Sequence, residues 1–309
     1  MSRKKLTFTV PGNIEKINAK VFLKKHCNVS SRMIARLKRE KDGILRDGKI
    51  LRTVDLLKGG EVIELNLPED SSDIVPVNGE LKILFEDDYI IVLDKPSDTP
   101  VHPTKIHQTD TLANLLAYYQ AQKGESYTFR AINRLDKDTT GIVVVAKDRF
   151  TANSLFGNMK KTYTAICEGV IENSGTIDKP IKLLEGHTIQ RTTAKDGARS
   201  VTHYIPVKIC KNLTLLDITL ETGHTHQIRC HFSSIGHPLA GDDMYSGSLD
   251  KISRQALHCN SVSFIHPVTG EKIHIESKLP EDMESLIRER AISASAKDNC
   301  FAALQSSFL

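Results

Sequence analysis

Residues 132–147 read INRLDKDTTGIVVVAK, and this stretch decides how the chain is interpreted. Its first half carries four charged side chains, those of Arg134, Asp136, Lys137 and Asp138. Its second half is a run of apolar residues that predicts a buried strand. Charged groups at the entrance of a buried strand are often placed for binding or catalysis. A structural reading is also open, in which Asp138 stabilises a polar turn.

The composition is that of a globular chain. The 309 residues are 39% apolar and 26% charged, and at about 100–200 residues per domain they predict two domains. No apolar run approaches the ~20 residues of a membrane helix, and the N-terminus lacks the apolar core of a signal peptide. The 6 cysteines form no CxxC pair, so neither a structural zinc site nor a redox pair is expected. We expect reduced thiols in a cytoplasmic protein without a membrane partner.

Positive charge is concentrated at the N-terminus. Residues 1–66 contain 16 Lys and Arg against 7 Asp and Glu, whereas the rest of the chain contains 26 against 31. A basic segment on an acidic chain predicts a module that binds a polyanion. Nucleic acid is the commonest such partner, and anionic lipid is the alternative.

A short helix and a hairpin are predicted inside this basic segment. A helix over residues 28–39 would place Arg32, Arg36 and Arg39 on one face. The dipeptide Asp47-Gly48 predicts a hairpin turn between two short strands. We interpret the three arginines as residues that bind the polyanion. A solvated basic helix face is the simpler alternative.

The remaining chain divides into a linker, a large domain and a tail. Residues 67–79 are polar, contain two prolines and predict a linker. Residues 80–290 mix strands and helices without regular βαβ alternation, which favours the α+β class over a doubly wound sheet. The strongest helical patterns cover three ranges: 109–122, 226–234 and 281–295. Thr225 is the predicted cap of the second helix, and residues 291–309 are interpreted as a C-terminal tail.

Four motifs in the same order resemble those of the RluA-type RNA pseudouridine synthases. Arg134-Leu-Asp136, followed by Asp138-Thr-Thr-Gly141, is similar to the family signature His-Arg-Leu-Asp-x-x-Thr-Ser-Gly. The other three are Lys95-Pro96 with Val101-His102-Pro103, then Lys161-Thr-Tyr163 with Ala165 and Gly169, then TGHTHQIRCH at 222–231 with Gly241-Asp242. Residues 1–66 resemble the small αL RNA-binding module that precedes the catalytic domain in many members.

The resemblance implies an activity, a fold and a set of site residues. It implies a catalytic domain with a largely antiparallel mixed sheet that isomerises uridines in structured RNA, ribosomal RNA before transfer RNA. It implies no metal and no cofactor. The implied roles are nucleophile for Asp136, cationic partner for Arg229, base-stacking aromatic for Tyr163, filler of the flipped-base gap or phosphate ligand for Arg134, and pocket wall for Ile228.

The chemistry explains why a carboxylate and an arginine are needed together. Pseudouridine formation breaks the bond from ribose to uracil nitrogen and re-forms it to carbon 5, which needs an ionised carboxylate in a sheltered site. A buried carboxylate stays ionised near neutral pH only with a cationic partner. We expect Arg229 to offer Asp136 two parallel donors, which lysine cannot do. The simpler alternatives are a surface helix position for Arg229 and a half-buried strand position for Tyr163.

Some positions depart from the family pattern. Asp98 stands where Gly is usual, Asn133 where His is usual, Thr140 where Ser is usual and His224 where Arg is usual. The fit of the substrate and one phosphate contact are therefore open. His224, His226 and His231 invite a zinc interpretation, but no Cys or carboxylate lies at a supporting offset.

Two rival functions remain open at this stage. The first is a non-catalytic RNA-binding or ribosome-assembly factor with the same fold. The second is a glycosidase-like hydrolase with Asp136 and Asp138 as paired carboxylates, because alternate residues of an extended segment point the same way.

Overall fold

The computed structural model describes residues 4–68 and 72–288. Within these ranges, the secondary structure forms a small N-terminal unit and a large mixed sheet. None of the helices in the described ranges is long and apolar enough to cross a bilayer.

The N-terminal unit is built on a four-stranded antiparallel sheet. Its elements are β1 (Lys5–Thr9), β2 (Ile17–Asn18), α1 (Ala19–Lys25), α2 (Ser31–Leu37), β3 (Ile44–Arg46), β4 (Lys49–Ile50), β5 (Leu56–Leu57) and β6 (Val62–Asn66). The sheet order is β1-β6-β3-β4, and β2 pairs with β5. The predicted hairpin turn between β3 and β4 is confirmed, since Asp47 and Gly48 have φ values of 47° and 77°.

Helix α2 is shorter than the sequence pattern predicts. Ser30 caps it through a hydrogen bond from the backbone N–H of Met33, and the helix ends at Leu37. Arg32 is exposed and Arg36 half-buried on this helix, but Arg39 lies in the turn that follows it. The predicted single face of three arginines is therefore wrong for Arg39, because a helix of two turns cannot reach it.

The large unit contains a nine-stranded sheet, which bears out the predicted α+β class. Its strands are β7 (Ile83–Glu86), β8 (Ile90–Lys95), β9 (Thr140–Ala146), β10 (Lys160–Glu168), β11 (Gly175–Asp178), β14 (Val201–Cys210), β15 (Leu213–Leu220), β16 (Leu257–Ile265) and β17 (Lys272–Glu276), and a separate hairpin joins β12 (Ile181–Leu183) to β13 (Arg191–Thr193). The sheet order is β11-β14-β15-β10-β16-β9-β8-β7, with β17 also on β16. Its neighbours pair antiparallel except β9 and β16, which are parallel.

Short helices cover and connect the strands of this sheet. They are α3 (Leu112–Lys123), α4 (Arg149–Leu155), α5 (Gln227–Ser233) and a 3₁₀ turn at Asp243–Tyr245, and residues 281–288 are also helical. The last seven residues of the helix predicted over 281–295 lie outside the described ranges. The predicted cap of α5 is wrong: His226, not Thr225, precedes the helix, and its side chain makes no capping bond. The Gln227 side chain instead accepts the backbone N–H of His224.

Strand β9 runs through the middle of the core and begins directly after the loop of residues 136–139. All seven of its residues are buried. Gly141 has a φ of 110° and lies so close to β16 that an added Cβ would be 2.3 Å from the Cys259 carbonyl oxygen. Only glycine tolerates both this positive φ and this short distance to Cys259. Gly141 therefore allows β9 and β16 to lie close to each other immediately after the loop.

The two units pack against each other at the opposite end of β9. Phe150 belongs to the apolar cluster of the N-terminal unit, and its ring lies 5.9 Å from that of Phe8. Lys4 makes an ion pair of 2.8 Å with Asp148. The described residues of the predicted linker, 67–68 and 72–79, have no regular secondary structure. The domain boundaries themselves stay a prediction.

Candidate active site

The loop that follows Leu135 is a tight turn that is closed by an internal hydrogen bond and held by side chains from two other parts of the fold. The backbone N–H of Thr139 donates to the Asp136 carbonyl over 3.1 Å. Lys95 Nζ donates to the Lys137 carbonyl over 2.7 Å, and Arg254 Nη1 donates to the Asp138 carbonyl over 3.2 Å. The segment is therefore a turn. The hydrolase alternative required an extended segment from which Asp136 and Asp138 point the same way, and that prediction is wrong.

Lys95 is an almost fully buried anchor beneath this loop. It is 1% exposed, and besides Lys137 it donates to the carbonyls of Pro96 and Thr99 over 2.8 and 2.9 Å. Burial lowers the pKa of Lys95 to about 7, although the nearby carboxylates of Asp138 and Asp136 act in the opposite direction. The lysine fixes the loop through backbone carbonyls.

Arg229 lies between Asp136 and a second carboxylate, Asp242. Its Nε and Nη2 donate to the two oxygens of Asp242, each over 2.7 Å, and its Nη1 donates to Asp136 Oδ2 over 3.2 Å. The predicted pairing of Arg229 with Asp136 is therefore present in the structure. The expectation of two parallel donors to Asp136 is wrong, because Nε and Nη2 of Arg229 both bind Asp242 and only Nη1 reaches Asp136.

The second carboxylate makes Arg229 a rigid group. Asp242 has no exposed surface and Arg229 is 6% exposed. Burial alone acts to lower the pKa of Arg229, but the hydrogen bonds and charges of Asp242 and Asp136 outweigh it and raise that pKa above its ordinary value. The ring of Tyr245 lies 5.1 Å from the guanidinium carbon, a cation–π distance. A permanent positive charge is thus held beside Asp136.

His226 is a second neighbour of Asp136. Its Nε2 lies 3.7 Å from Asp136 Oδ2, and its Nδ1 lies 3.1 Å from the hydroxyl of Tyr245. Its backbone has a φ of 56°, a left-handed conformation that is uncommon for a residue other than glycine.

Tyr163 lies on β10 at an irregularity of the sheet. The register between β10 and β16 shifts between Thr162 and Thr164, and such bulges often redirect a side chain beside an active site. Tyr163 is 7% exposed. Burial raises the pKa of its hydroxyl well above the ordinary value, and the charge of Asp136 adds to that shift. The tyrosine therefore stays neutral and lies within electrostatic range of Asp136.

The remaining predicted site residues differ in their surroundings. Arg134 is exposed and, among the described residues, makes no hydrogen bond or ion pair. Ile228 is 4% exposed and packs in the main apolar core together with Tyr163. Arg32 and Arg36 lie on α2 of the N-terminal unit, so the structure does not bring them into this cluster.

Two of the positions that depart from the family pattern, Asn133 and Asp98, make contacts that support the loop. Asn133 is buried, and its side chain donates to the Ile142 carbonyl and accepts the N–H of Val144, which ties the loop to β9. Asp98 has a φ of 56°, consistent with a position where Gly is usual, and pairs with Lys137 over 2.7 Å. Both residues hold the loop in place without contacting the Asp136 side chain.

The histidines considered as zinc ligands have other partners. His224 Nε2 lies 3.0 Å from the Arg199 carbonyl, and His231 contacts Thr202 Oγ1 and the Lys179 carbonyl. Within residues 4–68 and 72–288, no group of three His, Cys, Asp or Glu side chains is arranged to hold a metal ion.

Four residues of the site received no role from the sequence: Lys95, His226, Asp242 and Tyr245. Three of them, Lys95, His226 and Asp242, stood in the quoted motifs. The motifs gave Lys95 and Asp242 no chemical role, and His226 was considered there only as a zinc ligand. Tyr245 follows Asp242 by three residues, which is a weak pattern on its own. Only the fold shows that these side chains surround Asp136 and Arg229.

Known proteins with similar sequences identify the family of this chain. The sequence model of the RNA pseudouridylate synthase family matches residues 89–234. The Bacillus subtilis (strain 168) protein named uncharacterized RNA pseudouridine synthase YhcT is 41% identical over 243 residues, 75% of this chain and 80% of its own length. Ribosomal large subunit pseudouridine synthase D of Pseudomonas aeruginosa is 37% identical over 276 residues, 81% of this chain and 85% of its own.

A solved structure supports the same fold. Human RNA Pseudouridylate Synthase Domain Containing 4 superposes with a TM-score of 0.55 at 24% identity, over 68% of this chain and 93% of its own. The chain belongs to the RNA pseudouridylate synthase family, and its activity is that of an RNA pseudouridine synthase. The predicted resemblance to the RluA-type enzymes is thereby confirmed.

Proposed function

We propose that this enzyme isomerises specific uridines in large-subunit ribosomal RNA and that Asp136 is its nucleophile. The observation that carries the proposal is the contact of 3.2 Å between Arg229 Nη1 and Asp136 Oδ2. Arg229 is fixed on its other side by Asp242, so the carboxylate has a preorganised positive partner. Preorganised charges of this kind stabilise a reacting group without reorganisation during the reaction.

The contacts also distinguish the two oxygens of Asp136. Within the described residues, Arg229 and His226 both approach Oδ2. Oδ1 is therefore the oxygen free to react. In the reaction, the bond from ribose C1′ to uracil N1 breaks, a bond from C1′ to C5 forms, the C5 proton leaves and N1 gains a proton.

The other residues suit the handling of a flipped base. Tyr163 is proposed to stack on the uracil, an interaction worth roughly 1–3 kcal/mol per base. Ile228 would form the apolar wall beside it. Arg134 is exposed and uncommitted, so it is proposed to fill the gap in the RNA stack or to bind a phosphate. Removing a base from its stack costs a few kcal/mol, which such a group offsets.

The choice of RNA rests on the relatives and on the basic N-terminal unit. Several relatives carry the name ribosomal large subunit pseudouridine synthase D. Residues 1–66 are proposed to grip the RNA through Arg32 and Arg36 on α2 and Arg39 in the following turn. The cytoplasm is the proposed compartment, since the five cysteines of the described ranges are buried and unpaired.

The proposal is tested with RNA transcripts labelled with tritium at carbon 5 of uridine. The full-length protein should release tritium from a bacterial large-subunit ribosomal RNA transcript and leave the RNA mass otherwise unchanged, because isomerisation removes nothing else. Transfer RNA transcripts are the matched comparison. Release from transfer RNA alone would refute the ribosomal assignment, and RNA binding without any tritium release would favour the non-catalytic alternative.

A further inference from the structure

Asp136 has a second neighbour whose chemistry the proposed roles do not use. His226 Nε2 lies 3.7 Å from Asp136 Oδ2, and the His226 side chain is 8% exposed. The residue precedes α5, the helix that carries Arg229. His226 and Arg229 are thus placed by the same helix, and both approach Asp136 Oδ2.

The hydrogen bonds around Tyr245 favour one tautomer of His226. The Tyr245 hydroxyl accepts the backbone N–H of Arg191 over 2.8 Å. A hydroxyl has a single proton, and within the described residues His226 Nδ1, at 3.1 Å, is positioned to accept it. We assign Nδ1 as the acceptor of this bond, which places the proton of the neutral imidazole on Nε2. The donor end of the ring thus lies on the side of Asp136.

The charges around His226 keep the ring neutral near pH 7. Burial lowers its pKa, and the nearby cations Arg229 and Arg191 act in the same direction. The carboxylates of Asp136 and Asp242 oppose this shift without outweighing it. The ring lies 5.7 Å from that of Tyr245 with the two planes at 86°. A neutral imidazole held at its Nδ1 has one N–H left to donate.

We propose that His226 is a positioning residue for Asp136 and that Tyr245 orients it. In this arrangement, which rests on the proposed function, Nε2–H donates to Asp136 Oδ2 once a uridine occupies the site. The present distance is longer than a hydrogen bond, and catalytic hydrogen bonds commonly shorten in the substrate complex. Arg229 and His226 then hold Oδ2 from two directions and present Oδ1 to the nucleoside. No proton is transferred by His226 in this role.

The test separates positioning from binding with single-turnover tritium release from the labelled large-subunit ribosomal RNA transcript. The full-length variant His226→Leu should lower the rate at saturating enzyme by roughly 10- to 100-fold, the usual worth of a hydrogen bond to a charged group. The enzyme concentration giving half-maximal rate should stay unchanged, because His226 acts through Asp136. His226→Gln supplies an N–H at a similar reach and should restore the rate to within about tenfold of wild type. The exposed His274 gives a matched control, His274→Leu.

Tyr245→Phe provides the second arm, because it removes one hydroxyl and leaves the ring. It should lower the rate about as much as His226→Leu, while Tyr118→Phe on α3 should leave it unchanged. In the His226→Leu background, Tyr245→Phe should have no further effect on the rate, since its target is gone. Melting curves for each variant set a temperature at which all are folded.

The results that overturn the proposal are specific. Single variants with the wild-type rate, or a double variant whose loss is the product of the two single losses, would show that Tyr245 does not act through His226. Failure of His226→Gln to exceed His226→Leu would also refute the role of the N–H. If the wild-type protein releases no tritium, the proposed function fails first, so the two failures are distinguishable.

Discussion

Arg229 gives its two-pronged hydrogen bond to Asp242 and a single, longer one to Asp136. The two carboxylates are thereby divided in function. Asp242, with no exposed surface, fixes the guanidinium, and Asp136, whose side chain is 25% exposed, receives its third donor. This division explains how a flexible side chain can act as a fixed charge.

Asp242→Asn should therefore damage both the fold and the reaction. Breaking a buried ion pair on one side leaves an uncompensated charge and typically costs about 3–5 kcal/mol. We expect that loss in the free energy of unfolding measured with urea. We also expect a lower single-turnover rate under conditions where the variant is folded, because Arg229 is no longer held. The exposed neighbour provides the control Asp243→Asn, and equal stability of the two variants would contradict this role of Asp242.

Lys95 predicts an unusual pH dependence of stability. Its pKa is about 7 in the folded state against 10.5 as the ordinary value, so the unfolded chain binds the extra proton between these pH values. Stability therefore rises with pH across this window and loses that contribution as pH falls towards about 7. Relative to Lys95→Met, the free energy of unfolding of the wild type should rise by up to about 1.4 kcal/mol per pH unit.

The comparison with Lys95→Met removes other titrations from the result. Burial also raises the pKa values of Cys27 and Cys167, each to about 12, but these thiols are present in both proteins and cancel in the difference. Replacement of the exposed Lys20 by Met should give no such slope. Parallel pH–stability curves for wild type and Lys95→Met would show that Lys95 stays charged in the folded state.

The N-terminal unit should contribute salt-dependent affinity. Arg32→Ala and Arg36→Ala should each weaken RNA binding and lower the slope of log affinity against log salt concentration by roughly 0.7–0.9, the value for one phosphate contact. The rate at saturating enzyme should not change, because α2 lies in the other unit. Lys272→Ala on β17 is the control, and an unchanged slope in both arginine variants would refute the assignment.

The sequence was sufficient where motif and periodicity agree. The run after Gly141 predicts the buried strand β9, and the structure confirms it. The Asp47-Gly48 turn is likewise confirmed. Both depend on local preferences, which a single chain displays directly.

The sequence was insufficient where the outcome depends on residues far apart in the chain. Asp242 binds Nε and Nη2 of Arg229 because the 3₁₀ turn packs against α5. The hydrophobic periodicity of the sequence does not predict this contact. Arg39 lies beyond α2 because the helix ends at Leu37, and the exact end of a helix is difficult to predict from sequence. The link from Arg191 through Tyr245 to His226 joins three separate elements, so only the fold reveals it.

Asp136 is the proposed reacting carboxylate, and single-turnover tritium release from the labelled large-subunit RNA by Asp136→Asn tests this role most directly. Asp138→Asn is the matched control, since it changes a carboxylate in the same turn. We predict that Asp136→Asn binds the RNA with near wild-type affinity and loses at least about 10³-fold in rate, whereas Asp138→Asn stays active. Tritium release by Asp136→Asn at the wild-type rate would contradict the account.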